Sequence, residues 1–298
     1  MMARTPRAVT VTRPTEYELL LRRHATRGQA EFFLRAHGQK LADVEAAHQR
    51  FQGVLEQCHR GIPDTFRRAH VSREDLDRFL FEPEDVILVV GQDGLVANVA
   101  KYLQGQPVIG VNPDPERNDG VLARYTPALA SELLAPTADG AAPIQRRTLV
   151  EAELDDGQKL LALNEVFVGH RSHQSARYRI GWKEHHERQS SSGLIVATGT
   201  GATGWARSIA RQRKRPVELP EPTDGRVTFL VREAFPSVST GTRITAGCLT
   251  ETDTLEVVSE MNEGGVVFGD GIESDHLDFG FGMRLSVHAS SVRLCLVA

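Results

Sequence analysis

Apolar positions fall into two regimes along the chain. Val86 to Val90 are consecutive, mostly β-branched apolar residues, the pattern of a strand buried on both faces. Leu95, Val96, Val99, Ala100 and Leu103 then recur at helical spacing, so a strand feeds a helix through Gly91-Gln92-Asp93-Gly94. Upstream, Ala8 to Thr12 is β-prone. Tyr17 to Gln57 is polar and mainly helical, with Leu41, Val44, His48, Phe51 and Leu55 forming one stripe. Phe66 to Val71 reads as a second strand, and Ser72 with Asp75 as a capping box on a short helix. Pro107 to Val111 supplies a further buried strand that ends at Asn112. Strands alternating with helices predict a doubly wound parallel sheet, in which ligands gather beyond the carboxyl ends of the strands.

From Ala135 to Pro143, Pro, Thr, Asp, Gly and Ala form a turn-rich stretch that reads as a linker. Beyond it the period becomes two. Arg146 to Leu154, Leu160 to Gly169, Ala176 to Ile180, Gly193 to Thr198, Arg226 to Val231, Arg243 to Ala246 and Leu255 to Val258 read as strands. The expectation is an α/β domain over residues 1–138 and a mainly β domain over 139–298.

Composition adds mostly exclusions. The 298 residues suffice for two ordinary cores, and no apolar run approaches the roughly 20 residues of a membrane span. A net charge of −4 argues against bulk nucleic-acid or acidic-membrane binding, so any polyanion must be bound locally. Cys58, Cys248 and Cys295 are isolated, which suggests no disulfide framework or zinc site and suits a reducing compartment. Met1 to Val9 lacks an apolar signal core, and the expected location is cytoplasmic. His170, His173, His185 and His186 lack carboxylate or cysteine partners at metal-ligand spacing, so no metal site is read there. The run Arg211-Gln212-Arg213-Lys214-Arg215 closes a helix, is too short for a nucleic-acid stripe, and could attract ATP.

Three stretches carry candidate chemistry. In the first turn, Gly91 and Gly94 let backbone amides approach an anion, and Asp93 can act as a general base, as a partner for Mg²⁺, or simply as a turn residue. Asn164-Glu165 sets an amide and a carboxylate at the head of a strand. The pair suits ribose hydroxyls and an amino-substituted ring if it lies at a strand end, and otherwise it is a polar turn. Gly199, Gly201 and Gly204 after the strand Gly193 to Thr198 spell a dinucleotide-binding G-x-G-x-x-G, although no acidic ribose partner closes the next strand.

Gly-Gln-Asp-Gly after a buried strand resembles the Gly-Gly-Asp-Gly hallmark of the NAD kinase, diacylglycerol kinase and phosphofructokinase group, with Gln92 replacing a glycine and Leu95 replacing a small hydroxyl residue. Gly110-Val111-Asn112-Pro113-Asp114-Pro115-Glu116-Arg117 resembles the matching loop of mitochondrial-type NAD kinases. Asn164-Glu165 resembles the Asn-Glu signature of NAD kinases, and Thr198-Gly199-Thr200-Gly201 with Trp205 their second glycine-rich turn. Val267 to Gly271 followed by Leu277 to Met283 is similar to a late turn and strand that return toward the first domain.

The resemblance implies an NAD kinase-like fold and ATP-dependent phosphorylation of the adenosine 2′-hydroxyl of NAD⁺ or NADH, with Mg²⁺ and a homodimer. It implies Asp93 as the base, and Asn164, Glu165, Thr198, Thr203, Trp205 and Ser208 around the substrate. Gly91, Gln92, Gly94, Asn112, Arg117, Gly199 and Gly201 fall to the phosphates. If the missing glycine served a positive backbone angle, Gln92 costs on the order of 1 kcal/mol in strain; its amide could instead donate to phosphate. Two rivals follow: an NAD-binding protein of the same fold with little or no turnover, and a kinase of another hydroxyl compound.

Overall fold

The computed structural model describes residues 5–298. The chain forms two compact units, one running to Ile144 and taking in Cys295–Ala298, the other Gln145–Leu294.

The first unit carries β1 (Arg7–Thr12), α1 (Glu16–His24), α2 (Arg27–Ala36), α3 (Leu41–Gly61), β2 (Arg67–Ser72), β3 (Asp85–Val90), α4 (Asp93–Ala100), β4 (Pro107–Val111) and α5 (Pro127–Ala138). Its strands run parallel in the order β2-β1-β3-β4, and Cys295 and Leu296 extend the ladder beside β4. All six residues of β3 are buried, as an apolar run at the centre of such a sheet requires. The first of them, Asp85, is fully buried and takes Arg7 Nε and Nη2 at 2.7 and 2.6 Å. Ala130 and Leu134 of α5 and Cys58 of α3 pack with Val86, Leu88 and Val90 in one core.

Two local expectations are corrected here. Ser72 makes no side-chain cap bond and precedes only a 3₁₀ turn, Arg73–Arg78. The capping box is instead at Thr15 and Glu18, ahead of α1. The stretch expected to be linker from Ala135 is helical through Ala138. Thr126 caps α5 at its start, and Pro136 is tolerated in the last turn, where one lost N–H costs least.

The second unit contains β5 (Ile144–Leu154), β6 (Lys159–Ala162), β7 (Glu165–His170), β8 (Ala176–Trp182), β9 (His185–Ser191), β10 (Leu194–Ala197), α6 (Trp205–Arg211), β11 (Val227–Val231), β12 (Ala246–Leu249), β13 (Leu255–Ser259), β14 (Gly265–Gly269), β15 (His276–Asp278) and β16 (Arg284–Val297). One antiparallel sheet runs β12-β11-β10-β7-β14-β15. The other runs β16-β13-β8-β9, with β5 beside β16 and β6 beside β5. Tyr178, Phe229, Phe279 and the alternate residues of these strands fill a common core.

The expected strand Leu160 to Gly169 is two strands, broken at Leu163 and Asn164. The strand expected at Arg243 to Ala246 begins only at Ala246 and pairs with β11. β9 and β16 are additional.

Candidate functional site

In the first unit the turn after β3 lies at the carboxyl edge of the parallel sheet, and α4 starts at Asp93. The backbone amide of Gly91 donates to Val111 O at 3.0 Å and serves the sheet. The amides of Gln92, Asp93 and Gly94 have no acceptor among the described residues, as expected for the open end of a helix. Gln92 adopts φ −83 and ψ 167, so no positive angle is required and the expected strain is absent. Its amide is held from both sides: Arg13 Nη2 donates to Oε1 at 3.0 Å, and Nε2 donates to Asn118 Oδ1 at 2.9 Å.

Asp93 is half-buried, and its carboxylate organises a distant loop. Oδ1 accepts from the amides of Leu122 and Ala123, and Oδ2 from that of Val121, each at 2.9 Å. A carboxylate offers about four lone-pair sites, so Oδ2 retains capacity for one more donor. Asn112 is buried and turns inward: Oδ1 accepts from Asp114 N and Nδ2 donates to Asn118 O, so its side chain shapes the loop. Arg117 is exposed and sits 3.8 Å from Asp114.

A cavity of about 460 Å³ opens beside this turn, within the size range of small-molecule sites. Gly91, Gln92 and Asn118 line it together with Arg13, Arg50 and Arg73. Arg50 stands 3.9 Å from Asp114, whereas Arg13 and Arg73 have no carboxylate partner among the described residues. Sequence reading missed these cations. A signal was available for Arg13, which directly follows the carboxyl end of β1, where a doubly wound sheet collects ligands.

In the second unit the break between β6 and β7 sets Asn164 and Glu165 side by side at a strand end, meeting the geometric condition for both to serve one ligand. Neither side chain makes a hydrogen bond among the described residues. The break is fixed from 106 residues away: Asp270 accepts from the amides of Leu163 and Asn164 at 3.0 and 2.6 Å, and its own amide donates to Glu165 O at 3.0 Å. Burial, reinforced by the nearby Asp270 carboxylate, pushes the Glu165 carboxyl up to about 7. Asp270, with φ +53, thus does more than mark a turn.

Beside this pair the second glycine-rich turn is built for close packing. A Cβ at Gly199 would fall 2.0 Å from the backbone of Glu221, and one at Gly201 would fall 2.2 Å from Asn164 O. Thr198 is fully buried; its hydroxyl donates to Leu163 O and accepts from the amides of Thr200 and Gly201. It joins the turn to the Asn-Glu break and has no free donor for substrate. Thr203 and Ser208 are exposed. Trp205 stacks on Phe167 at 5.9 Å, with Arg232 over its ring at 5.0 Å. The dinucleotide-fingerprint reading is overturned, because β10 pairs antiparallel with both neighbours and a βαβ unit needs parallel ones.

No group of three or more His, Cys, Asp or Glu among the described residues is arranged to hold a metal ion. No helix among them is long and apolar enough to cross a membrane.

No protein-family model matches the chain. Among curated proteins, NAD kinase 2, mitochondrial, of Homo sapiens is 29% identical over 276 residues, covering 72% of this chain and 60% of that protein. Its Xenopus tropicalis counterpart is 27% identical over 281 residues, covering 72% and 66%. The chain thus spans 60–66% of the length of these two relatives. The NAD kinase of Psychrobacter arcticus is 34% identical over 132 residues, 42% of this chain and 40% of that one. Two solved structures share the fold. An NAD kinase from Archaeoglobus fulgidus in complex with ATP has a TM-score of 0.58 and 20% identity, over 98% of this chain and 93% of that one. Yeast NADH kinase complexed with NADH has a TM-score of 0.60 and 15% identity, over 100% and 85%.

Proposed function

The chain belongs to the NAD kinase family, and from that premise we propose that it transfers the γ-phosphoryl group of ATP to the 2′-hydroxyl of the adenosine ribose of NAD⁺ or NADH, giving NADP⁺ or NADPH. The observation that carries the reading is the uncommitted Asn164–Glu165 pair, held at a strand end by Asp270. A half-buried carboxylate accepts from ribose hydroxyls, and an amide both donates and accepts. The relatives named for ATP and NADH complexes support the two substrates.

In this mechanism Oδ2 of Asp93 takes the proton of the attacking 2′-hydroxyl as the oxygen–phosphorus bond forms. The bond to the β,γ-bridging oxygen breaks and ADP leaves with the electron pair. On the first unit the free amides of Gln92, Asp93 and Gly94, with Arg13 and Arg73, hold the donor phosphates, and on the second unit Thr203, Trp205 and Ser208 form a wall for the substrate. Thr198, Gly199 and Gly201 shape that wall from behind. Magnesium neutralises phosphate charge when bound. Asp93 would be the carboxylate available to such an ion, directly or through water, with the remaining ligands coming from the donor phosphates.

The test is product formation. Purified protein with ATP, Mg²⁺ and NAD⁺ yields NADP⁺, read by an NADP-specific dehydrogenase, with NADH and unrelated nucleosides as parallel substrates. Absence of product from NAD⁺ and NADH alike removes the proposal, and tight NAD binding without product selects the inactive rival. Arg13→Ala is expected to raise KM for ATP by about tenfold while KM for NAD⁺ stays within error, because Arg13 is exposed and, among the described residues, its side chain hydrogen-bonds only to Gln92. A homodimer belongs to the same reading and is checked by light scattering. Three free cysteines, two of them buried, support a cytoplasmic setting.

A further inference from the structure

Between α6 and β12 the second unit has a cavity of about 790 Å³ that the proposed reaction does not use. Arg213, Lys214, Arg215 and Arg243 line it, and Glu218 is the sole lining carboxylate, 3.4 Å from Arg226. No carboxylate lies within ion-pair distance of the four cations among the described residues. The donors also outnumber their acceptors. Arg213 Nη2 donates to Val231 O, but its Nε is buried without a partner. Arg243 also lines an adjoining cavity of about 680 Å³ with Trp182, whose indole N–H is buried without an acceptor. The adjoining cavity carries the carboxylates of Glu184 and Glu187, the latter accepting from the backbone amides of Arg243 and Ile244, so the uncompensated charge is concentrated in the first cavity, where the arginine and lysine side chains only donate and Glu218 is the one lining carboxylate.

We infer that this cavity is a second anion site and takes a compact oligophosphate, free or as part of a nucleotide. Four cations in one concavity match a ligand of several negative charges, and planar guanidinium forks match the tetrahedral oxygens of phosphate. Concentrated positive charge on a chain of net charge −4 focuses small anions locally, whereas a nucleic acid needs a longer track.

Cys248 lines the same cavity and is partly exposed, whereas Cys58 and Cys295 are buried, so maleimide labelling reports on this site without turnover. Tripolyphosphate is expected to slow labelling of the intact protein by about tenfold at physiological salt, and adenosine to leave it unchanged. Lys214→Glu combined with Arg243→Glu, both at exposed positions, abolishes the protection with far-ultraviolet circular dichroism unaltered. ATP acting at lower concentration than tripolyphosphate identifies a nucleotide ligand, and equal action identifies the bare chain; both support the site. Labelling that tripolyphosphate does not slow, or protection that survives the double substitution, overturns it. The outcome does not depend on whether NADP⁺ is formed.

Discussion

Replacing Glu165 with glutamine is expected to stabilise the protein above pH 7 by about 2–3 kcal/mol while lowering kcat/KM for NADP⁺ formation by about a hundredfold. The stability term follows from a carboxyl whose protonation midpoint stands at about 7 in the fold against 4.5 ordinarily. Below 4.5 the folded and unfolded chains both hold the proton. Between 4.5 and 7 the folded chain holds it and the unfolded chain does not, so stability falls as pH rises, and above 7 the full cost of burying the charge is present. Glutamine keeps the shape without that cost. Urea melts at pH 5 and pH 8 check this: the gain must be small at the first and full at the second. An equal gain at both sinks the electrostatic account. The activity term follows from losing a charged acceptor for ribose hydroxyls, and in the native protein KM for NAD⁺ should fall as pH rises through 7.

Asp93→Asn is expected to lower turnover about a thousandfold or more and to cost about 2–4 kcal/mol of stability. As a base the group must ionise, and an amide cannot. As a structural acceptor it holds three backbone amides, of Val121, Leu122 and Ala123. Asparagine keeps one acceptor oxygen for two of them and turns its NH₂ toward the third, donor against donor. Turnover within a few-fold of the parent excludes Asp93 as the base, and an unchanged urea midpoint excludes the structural role. The two halves separate because binding of NAD⁺, measured well below the melting transition, reports the fold without the chemistry.

What was legible in the sequence follows the range of the interactions. The buried run of β3, the glycine-flanked turn and the helical spacing after it are local, and they read directly. Asn164 and Glu165 were legible as residue types, but their accessibility to one ligand depends on a break fixed by Asp270, and no local pattern shows a contact of that range. The glycines at 199 and 201 looked like phosphate-approach positions, whereas they yield to the backbones of Glu221 and Asn164. β9 was missed because His185-His186-Glu187-Arg188-Gln189-Ser190-Ser191 is polar throughout, as an edge strand can be. Whether Gln92 is strained depends on its backbone angle, which no local pattern in the sequence reveals and which is an ordinary extended one.

The closing strand has a consequence for biogenesis. Residues Cys295 to Ala298, the end of β16 and the residue after it, belong to the first unit, where Cys295 and Leu296 flank β4. While the ribosome is still making the second unit, Pro107 and Val108 of β4 lack that neighbour, although Gly110 and Asn112 are bonded to Tyr125, and this short open rim can pair with another nascent chain. Clipping the chain before Cys295 should leave that rim bare for good, and aggregation during expression is the expected phenotype.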